Sequence, residues 1–153
     1  MMQADILLAD RPKRAVRMDK RAEGAALGKG DSPRRFLIVE DEVFVRMDIE
    51  ESLLAAGYDV VGAVDNAAEA LAVAETEEPD LVLMDVRIAG KKDGVDTALE
   101  LWSRLGIRCL FVSANLDEGV RKRAAEAQPW GFLPKPFTMD DLLRAVSSGD
   151  KPV

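Results

Sequence analysis

Leu81-Val82-Leu83-Met84-Asp85, four apolar residues closed by a carboxylate, is the stretch on which the reading of this chain turns. An apolar run this short, followed by a polar loop, fits a strand buried on both faces of a sheet. The arrangement recurs along the chain. Leu37-Ile38-Val39 runs into Glu40-Asp41-Glu42, Phe111-Val112 into Ser113-Ala114, and Gly131-Phe132-Leu133 into Pro134-Lys135-Pro136-Phe137. In a parallel sheet such ends share one edge, and open α/β sheets place their ligand site at that edge, beside the switch point.

Between these runs the period changes from strand to helix. Strands are expected at about 35–39, 59–64, 80–84, 108–112 and 130–133. Helices are expected at about 42–56, after the cap Asn66, at 94–105, at 116–126 with Asn115 as cap, and after Thr138. Val45, Ile49, Leu53 and Ala56 form the apolar stripe of the first helix. Val95, Leu99 and Trp102 form that of the third, and Leu142, Leu143 and Val146 that of the last. Gly57 and Gly106 end their helices. Strands alternating with helices give an α/β fold around a parallel sheet, and right-handed crossovers limit its topology.

Composition narrows the chemistry. The 153 residues include no His, which excludes histidine catalysis, histidine metal ligands and a phosphohistidine donor within the chain. One Cys permits no internal disulfide and fits a reducing, cytoplasmic compartment, with Cys109 as a small core side chain. No apolar stretch approaches the ~20 residues of a membrane span. Residues 1–35 carry nine Lys/Arg against five Asp/Glu, whereas residues 36–153 carry twelve against twenty-three. An acidic body argues against direct DNA binding, which needs clustered cations facing phosphate. Residues 1–33, with Gly28-Lys29-Gly30-Asp31-Ser32-Pro33 at their end, read as a basic, disordered extension. Residues 34–150 read as the folded domain, with no output domain expected after the last helix.

The polar residues at the strand ends make a chemical set. Asp85 is placed to attack a phosphoryl group and form an acyl phosphate. Glu40, Asp41 and Asp85 together repel one another unless a cation neutralises them. Mg2+ suits an all-oxygen site that leaves room for water and phosphate oxygens. Asp41 and Asp85 are the expected direct ligands, with Glu40 acting through water and the Arg87 carbonyl completing the protein share. Ser113 can donate to a phosphoryl oxygen. Lys135 pairs with the carboxylates and neutralises an incoming phosphoryl group, which is most of what phosphoryl transfer asks of a protein. Lys135-Pro136 is a candidate cis peptide.

With these motifs in this order, the chain resembles the receiver domains of bacterial two-component response regulators, over about residues 35–149. The resemblance implies a flavodoxin-like, doubly wound sheet of five parallel strands in the order 2-1-3-4-5. It implies Asp85 as phospho-acceptor, Glu40 and Asp41 as the acidic pair, Lys135 as the lysine of a Lys-Pro-Phe motif, and Ser113 and Phe132 as the switch residues. The implied function is that of a single-domain response regulator. It would take its phosphoryl group from a sensor histidine kinase or a histidine phosphotransfer protein in a Mg2+-dependent reaction. It would catalyse only its own phosphorylation and dephosphorylation, and signal to a downstream protein. Two features depart from the pattern: the loop after Asp85 lacks the common Pro, and Trp130 stands where many receivers carry a small or polar residue. Trp130 reads either as a packing aromatic or as a contact on the partner face. A pseudo-receiver that never takes phosphate is opposed by the filled site positions. A haloacid-dehalogenase-type phosphatase is opposed by Arg87 standing where its second Asp belongs.

Overall fold

A computed structural model describes residues 32–148. The expectations for the N-terminal extension therefore lie almost wholly outside the described residues. Five strands, β1 (Arg35–Val39), β2 (Asp59–Val64), β3 (Leu81–Met84), β4 (Cys109–Ser113) and β5 (Gly131–Pro134), pair in parallel in the order β2-β1-β3-β4-β5. Five α-helices alternate with them: α1 (Val43–Ala55), α2 (Ala67–Glu77), α3 (Gly94–Leu105), α4 (Glu118–Ala124) and α5 (Met139–Ser148).

Alternation along the strands divides the core. Leu37, Val39, Val82, Met84, Cys109 and Phe111 cluster with Ala70 and Ala74 of α2, Val95, Ala98 and Leu101 of α3 and Ala124 of α4. The intervening residues Phe36, Ile38, Leu81, Leu83, Leu110 and Val112 are also buried, as are Ile49 and Leu53 of α1 and Leu142 and Val146 of α5. Near-continuous burial is why β1, β3 and β4 read as unbroken apolar runs. Cys109 is a free thiol in that core, and burial pushes its pKa up, so it is inert packing.

The expected boundaries hold to within two residues, and the cap that differs is that of α4. That helix starts at Glu118, not 116, because Asp117 rather than Asn115 supplies the cap: its Oδ1 accepts from Val120 N at 2.9 Å. Asn115 N is instead donated to Ser113 Oγ at 3.1 Å. After α4 the chain tightens into a 3-10 turn, Ala125–Ala127. The inward stripe of α3 is also shifted. Val95, Ala98 and Leu101 are buried, while Leu99 and Trp102 are only partly buried, so the small Ala98 faces the sheet where a larger residue was expected. In α1, Ile49 and Leu53 are buried as expected, but Ala56 is exposed beyond the helix end.

Candidate functional site

The sheet register delivers the polar residues to one place. Val39 of β1 pairs with Met84 of β3, so Glu40 and Asp85 emerge side by side, with Asp85 N donating to Val39 O at 3.0 Å. Met84 pairs in turn with Phe111, and Ser113 with Pro134. Lys135 N donates to Ser113 O at 3.0 Å, which seats Lys135 at the same edge. The Lys135-Pro136 peptide is cis, as the sequence suggested. The edge sits where β1 and β3 send their following helices to opposite sides, the switch point of the fold.

There Lys135 Nζ is the hub. It donates to Asp85 Oδ2 at 2.9 Å, Glu40 Oε1 at 2.8 Å and Glu42 Oε1 at 3.1 Å. Glu40 is 1% exposed and Asp85 6% exposed, while Asp41 is exposed. Burial pushes the Glu40 carboxyl up to about 7, against the downward pull of Lys135 and of the Glu42 N–H. Burial alone would lower the Lys135 pKa, but its hydrogen bonds to Glu40 and Asp85 outweigh that and raise it. The lysine is therefore charged, and it holds a buried carboxylate pair together.

Glu40, Asp41 and Asp85 each offer a carboxylate oxygen within 4.8 Å of the others. An all-oxygen donor set this close, with one lysine already drawn in, fits a hard divalent cation. The Arg87 side chain is exposed, and the Arg87 backbone N–H donates to Asp85 Oδ1 at 3.4 Å. Ser113 is fully buried. Phe132 is partly buried and stacks on Phe111, with ring centroids 5.6 Å apart and planes 17° off parallel.

Two residues belong to this site that sequence reasoning left out. Glu42 stands in the acidic run after β1 and at the expected start of α1, but is not among the expected ligands. It is the N-cap residue but makes no side-chain cap, because its carboxylate goes to Lys135. The run of three acids was the available signal. In the sequence Gly94 is no more than the expected first residue of α3. A Cβ there would lie 1.8 Å from the Asp85 carbonyl oxygen, so only glycine lets α3 begin against the Asp85 backbone. Gly94 N also donates to Val86 O at 2.6 Å. The loop between them lacks Pro but is pinned by buried Val86 and Ile88 and by Ala89 N donating to Asp65 O at 3.0 Å.

Trp130 answers to the packing reading. It is 7% exposed, and its Nε1 donates to the Ala145 carbonyl of α5 at 3.0 Å. The Arg108 guanidinium covers its ring at 5.2 Å. The expectation that Trp130 anchors a partner gives way, because an indole so enclosed has little surface to offer.

Residues 36–147 match the response regulator receiver domain. The chain belongs to that family. The receiver is 40% identical over 114 residues to the transcriptional regulatory protein PdtaR of Mycobacterium tuberculosis, covering 74% of this chain and 55% of that one. It is 34% identical to the chemotaxis protein CheY of Bacillus subtilis, over 74% of this chain and 94% of CheY. The chain thus spans about half the length of PdtaR and nearly all of CheY. Among solved structures, the receiver domain of a modulated diguanylate cyclase from Desulfovibrio desulfuricans G20 is 35% identical with a TM-score of 0.69, covering 76% of this chain and 91% of that one. The receiver domain of the response regulator NarL from Mycobacterium tuberculosis is 30% identical, also with a TM-score of 0.69, covering 75% and 94%. Receiver domains are phosphoryl-accepting signalling modules that bind Mg2+ through acidic residues, and the cluster here has that character. Among the described residues, no helix is long and apolar enough to cross a membrane.

Proposed function

We propose that Asp85 accepts a phosphoryl group from a phosphohistidine on a sensor histidine kinase or a histidine phosphotransfer protein, in the cytoplasm. The phosphorylated receiver then signals through altered contacts with a downstream protein. One observation carries this reading: Lys135 Nζ bridges Asp85 and Glu40, residues 50 and 95 positions away in sequence, at the switch point of the sheet. A fold assembles a buried charge cluster from three strand ends at a cost in desolvation, and perturbed clusters of this kind mark functional sites.

In the transfer, an Asp85 carboxylate oxygen attacks phosphorus and the bond from phosphorus to the imidazole nitrogen breaks. The imidazole departs with that electron pair and takes up a proton from water, leaving an acyl phosphate on Asp85. Lys135 meets the added negative charge. Ser113, at the end of β4, donates its hydroxyl to a phosphoryl oxygen. Glu40, Asp41, Asp85 and the backbone carbonyl of Arg87 would hold Mg2+, which when bound neutralises charge on the transferring oxygens. Movement of Ser113 toward the new group vacates space beside β5, and Phe132 turns to fill it. This biases a two-state element that the helices around it report.

The proposal is tested by mass. Incubation with a small acyl phosphate and Mg2+ should add one phosphoryl group that survives acid and is lost in base. Asp85→Asn should abolish it. Full labelling of Asp85→Asn would place the chemistry elsewhere.

The donor's docking surface lies beside the site. Helix α1 begins two residues after Asp41 and exposes Val43, Met47 and above all Phe44, 85% exposed. An uncovered aromatic next to a reactive carboxylate fits a helix that presents a phosphohistidine. Phe44→Ala is expected to slow transfer from a protein donor about tenfold or more, the scale of an interface anchor. Labelling by acetyl phosphate should be unchanged. Equal loss with both donors would show that Phe44 supports the fold instead.

A further inference from the structure

Helix α4 is short and thinly rooted. Of its residues only Ala124 is buried, so polar contacts must supply much of its placement. Two of its arginines do so. Arg123 forks onto Asp93 at 3.1 and 3.2 Å and reaches Asp96 at 3.0 Å, which ties α4 to the start of α3, just past the loop that follows Asp85. Arg121 goes to β5. Its guanidinium carbon lies 4.6 Å from the centre of the Phe132 ring, and its Nε donates to the Leu116 carbonyl at 3.0 Å. That hydrogen bond fixes the orientation of the planar group over the ring. Phe132 is therefore held by two partners, the buried Phe111 and the cation of Arg121.

We propose that Arg121 is the positioning residue of the switch: its guanidinium holds Phe132 in the resting position, and phosphorylation of Asp85 must draw the ring away from it. The inference rests on the phosphoryl-accepting reading above and adds what sets the balance between the two states. The cation–π contact is made with the ring stacked on Phe111, and a ring drawn away from the guanidinium loses it. It therefore stabilises the resting state alone, and any contact of that kind weakens binding of whatever favours the other state. The reciprocal effect is that loosening Arg121 makes the protein more receptive to a phosphoryl group on Asp85, at the end of β3. A contact of this class at a partly exposed site is worth about a two- to fivefold shift.

The test uses beryllofluoride with Mg2+ as the phosphoryl mimic, titrated into the full chain and followed by the 19F signal of the bound form. Wild type, Arg121→Ala, Phe132→Leu and the double variant complete a cycle, with Arg121→Lys as a milder variant that keeps a cation near the ring. Arg121→Ala should tighten the mimic about two- to fivefold. The same change in the Phe132→Leu background should leave affinity unaltered, because the ring it acts on is gone. Arg121→Lys should lie between wild type and Arg121→Ala. Unchanged or weaker binding in Arg121→Ala overturns the inference. So does an equal shift in both backgrounds, which would mean that Arg121 acts by stabilising α4 and not through the ring. A wild-type protein that does not bind the mimic at all overturns the phosphoryl-accepting reading itself, and this one with it.

Discussion

Gly94→Ala is expected to lower stability by about 3 kcal/mol or more and to slow Asp85 labelling by about a hundredfold. The new Cβ would lie 1.8 Å from the Asp85 carbonyl oxygen, 2.8 Å from its carbonyl carbon and 3.0 Å from Met84 Cγ. Two of those three atoms are backbone at the end of β3, where no side-chain rotation gives relief. The start of α3 must then back away from Asp85, which strains the hydrogen bond from Gly94 N to Val86 O. Overpacking inside a core costs about 1–3 kcal/mol where side chains can adjust, so a clash with fixed backbone belongs at or above the top of that range. The effect on chemistry follows from the same displacement. Asp85 is aimed by its backbone, and misplacement of a reacting group by about 1 Å can cost about a hundredfold in rate. Gly119→Ala is the control. Its Cβ would meet only Asp117 Oδ1, at an ordinary 3.5 Å, within a helix. It should be neutral or stabilise by up to about 1 kcal/mol. Urea melts and acetyl phosphate labelling of both variants decide the matter. A Gly94→Ala protein that melts and labels like wild type would mean that α3 can shift without moving Asp85.

The contrast between these two glycines shows where sequence reading stops. Strands such as Leu81–Met84 were legible because burial on both faces forces an unbroken apolar run, which is a local pattern. The polar residues at their ends were legible because each sits one step past such a run. What the sequence could not show is how closely two backbones approach, so nothing local separates Gly94 from Gly119. Asp117 as the cap of α4 was missed for a related reason. Asn115 is an equally good capping residue by type, and only the turn at the end of β4, where its N–H goes to Ser113 Oγ and the helix begins at Glu118, gives the cap to Asp117. Trp130 shows the limit from the other side. A tryptophan at a strand start reads the same whether it packs or protrudes, and the carbonyl of Ala145 that fixes it lies on another element. Glu42 and Arg121 act through partners 93 residues distant in one case and 11 in the other, and neither spacing has a periodic signature.

The largest charge effect is expected from Lys135. Lys135→Ala removes the only described cation that bonds both Glu40 and Asp85, leaving two buried carboxylates facing each other. Breaking a buried ion pair by deleting one partner costs about 3–5 kcal/mol. The lysine side chain is 15% exposed, so some water reaches the site and the low end applies. That corresponds to a fall in melting temperature of about 10 °C for a domain of this size. The loss should depend on pH with a definite sign. The Glu40 pKa is raised from 4.5 to about 7, so the folded state holds this proton more tightly than the unfolded chain does. Its contribution to stability is full below pH 4.5 and is lost as pH rises through 7. Deleting Lys135 removes a group that pulls the Glu40 pKa down, which moves the upper end of that window higher. Wild type and variant should thus melt furthest apart above pH 7 and converge toward pH 4.5, where Glu40 is protonated in both. Millimolar Mg2+ should recover more of the melting temperature in Lys135→Ala than it adds to wild type, because the cation then answers carboxylates that the lysine no longer neutralises. A gap that stays constant from pH 5 to pH 8 would mean that Lys135 does not act through the charge of Glu40. A variant indifferent to Mg2+ would remove Glu40, Asp41 and Asp85 as the cation's ligands.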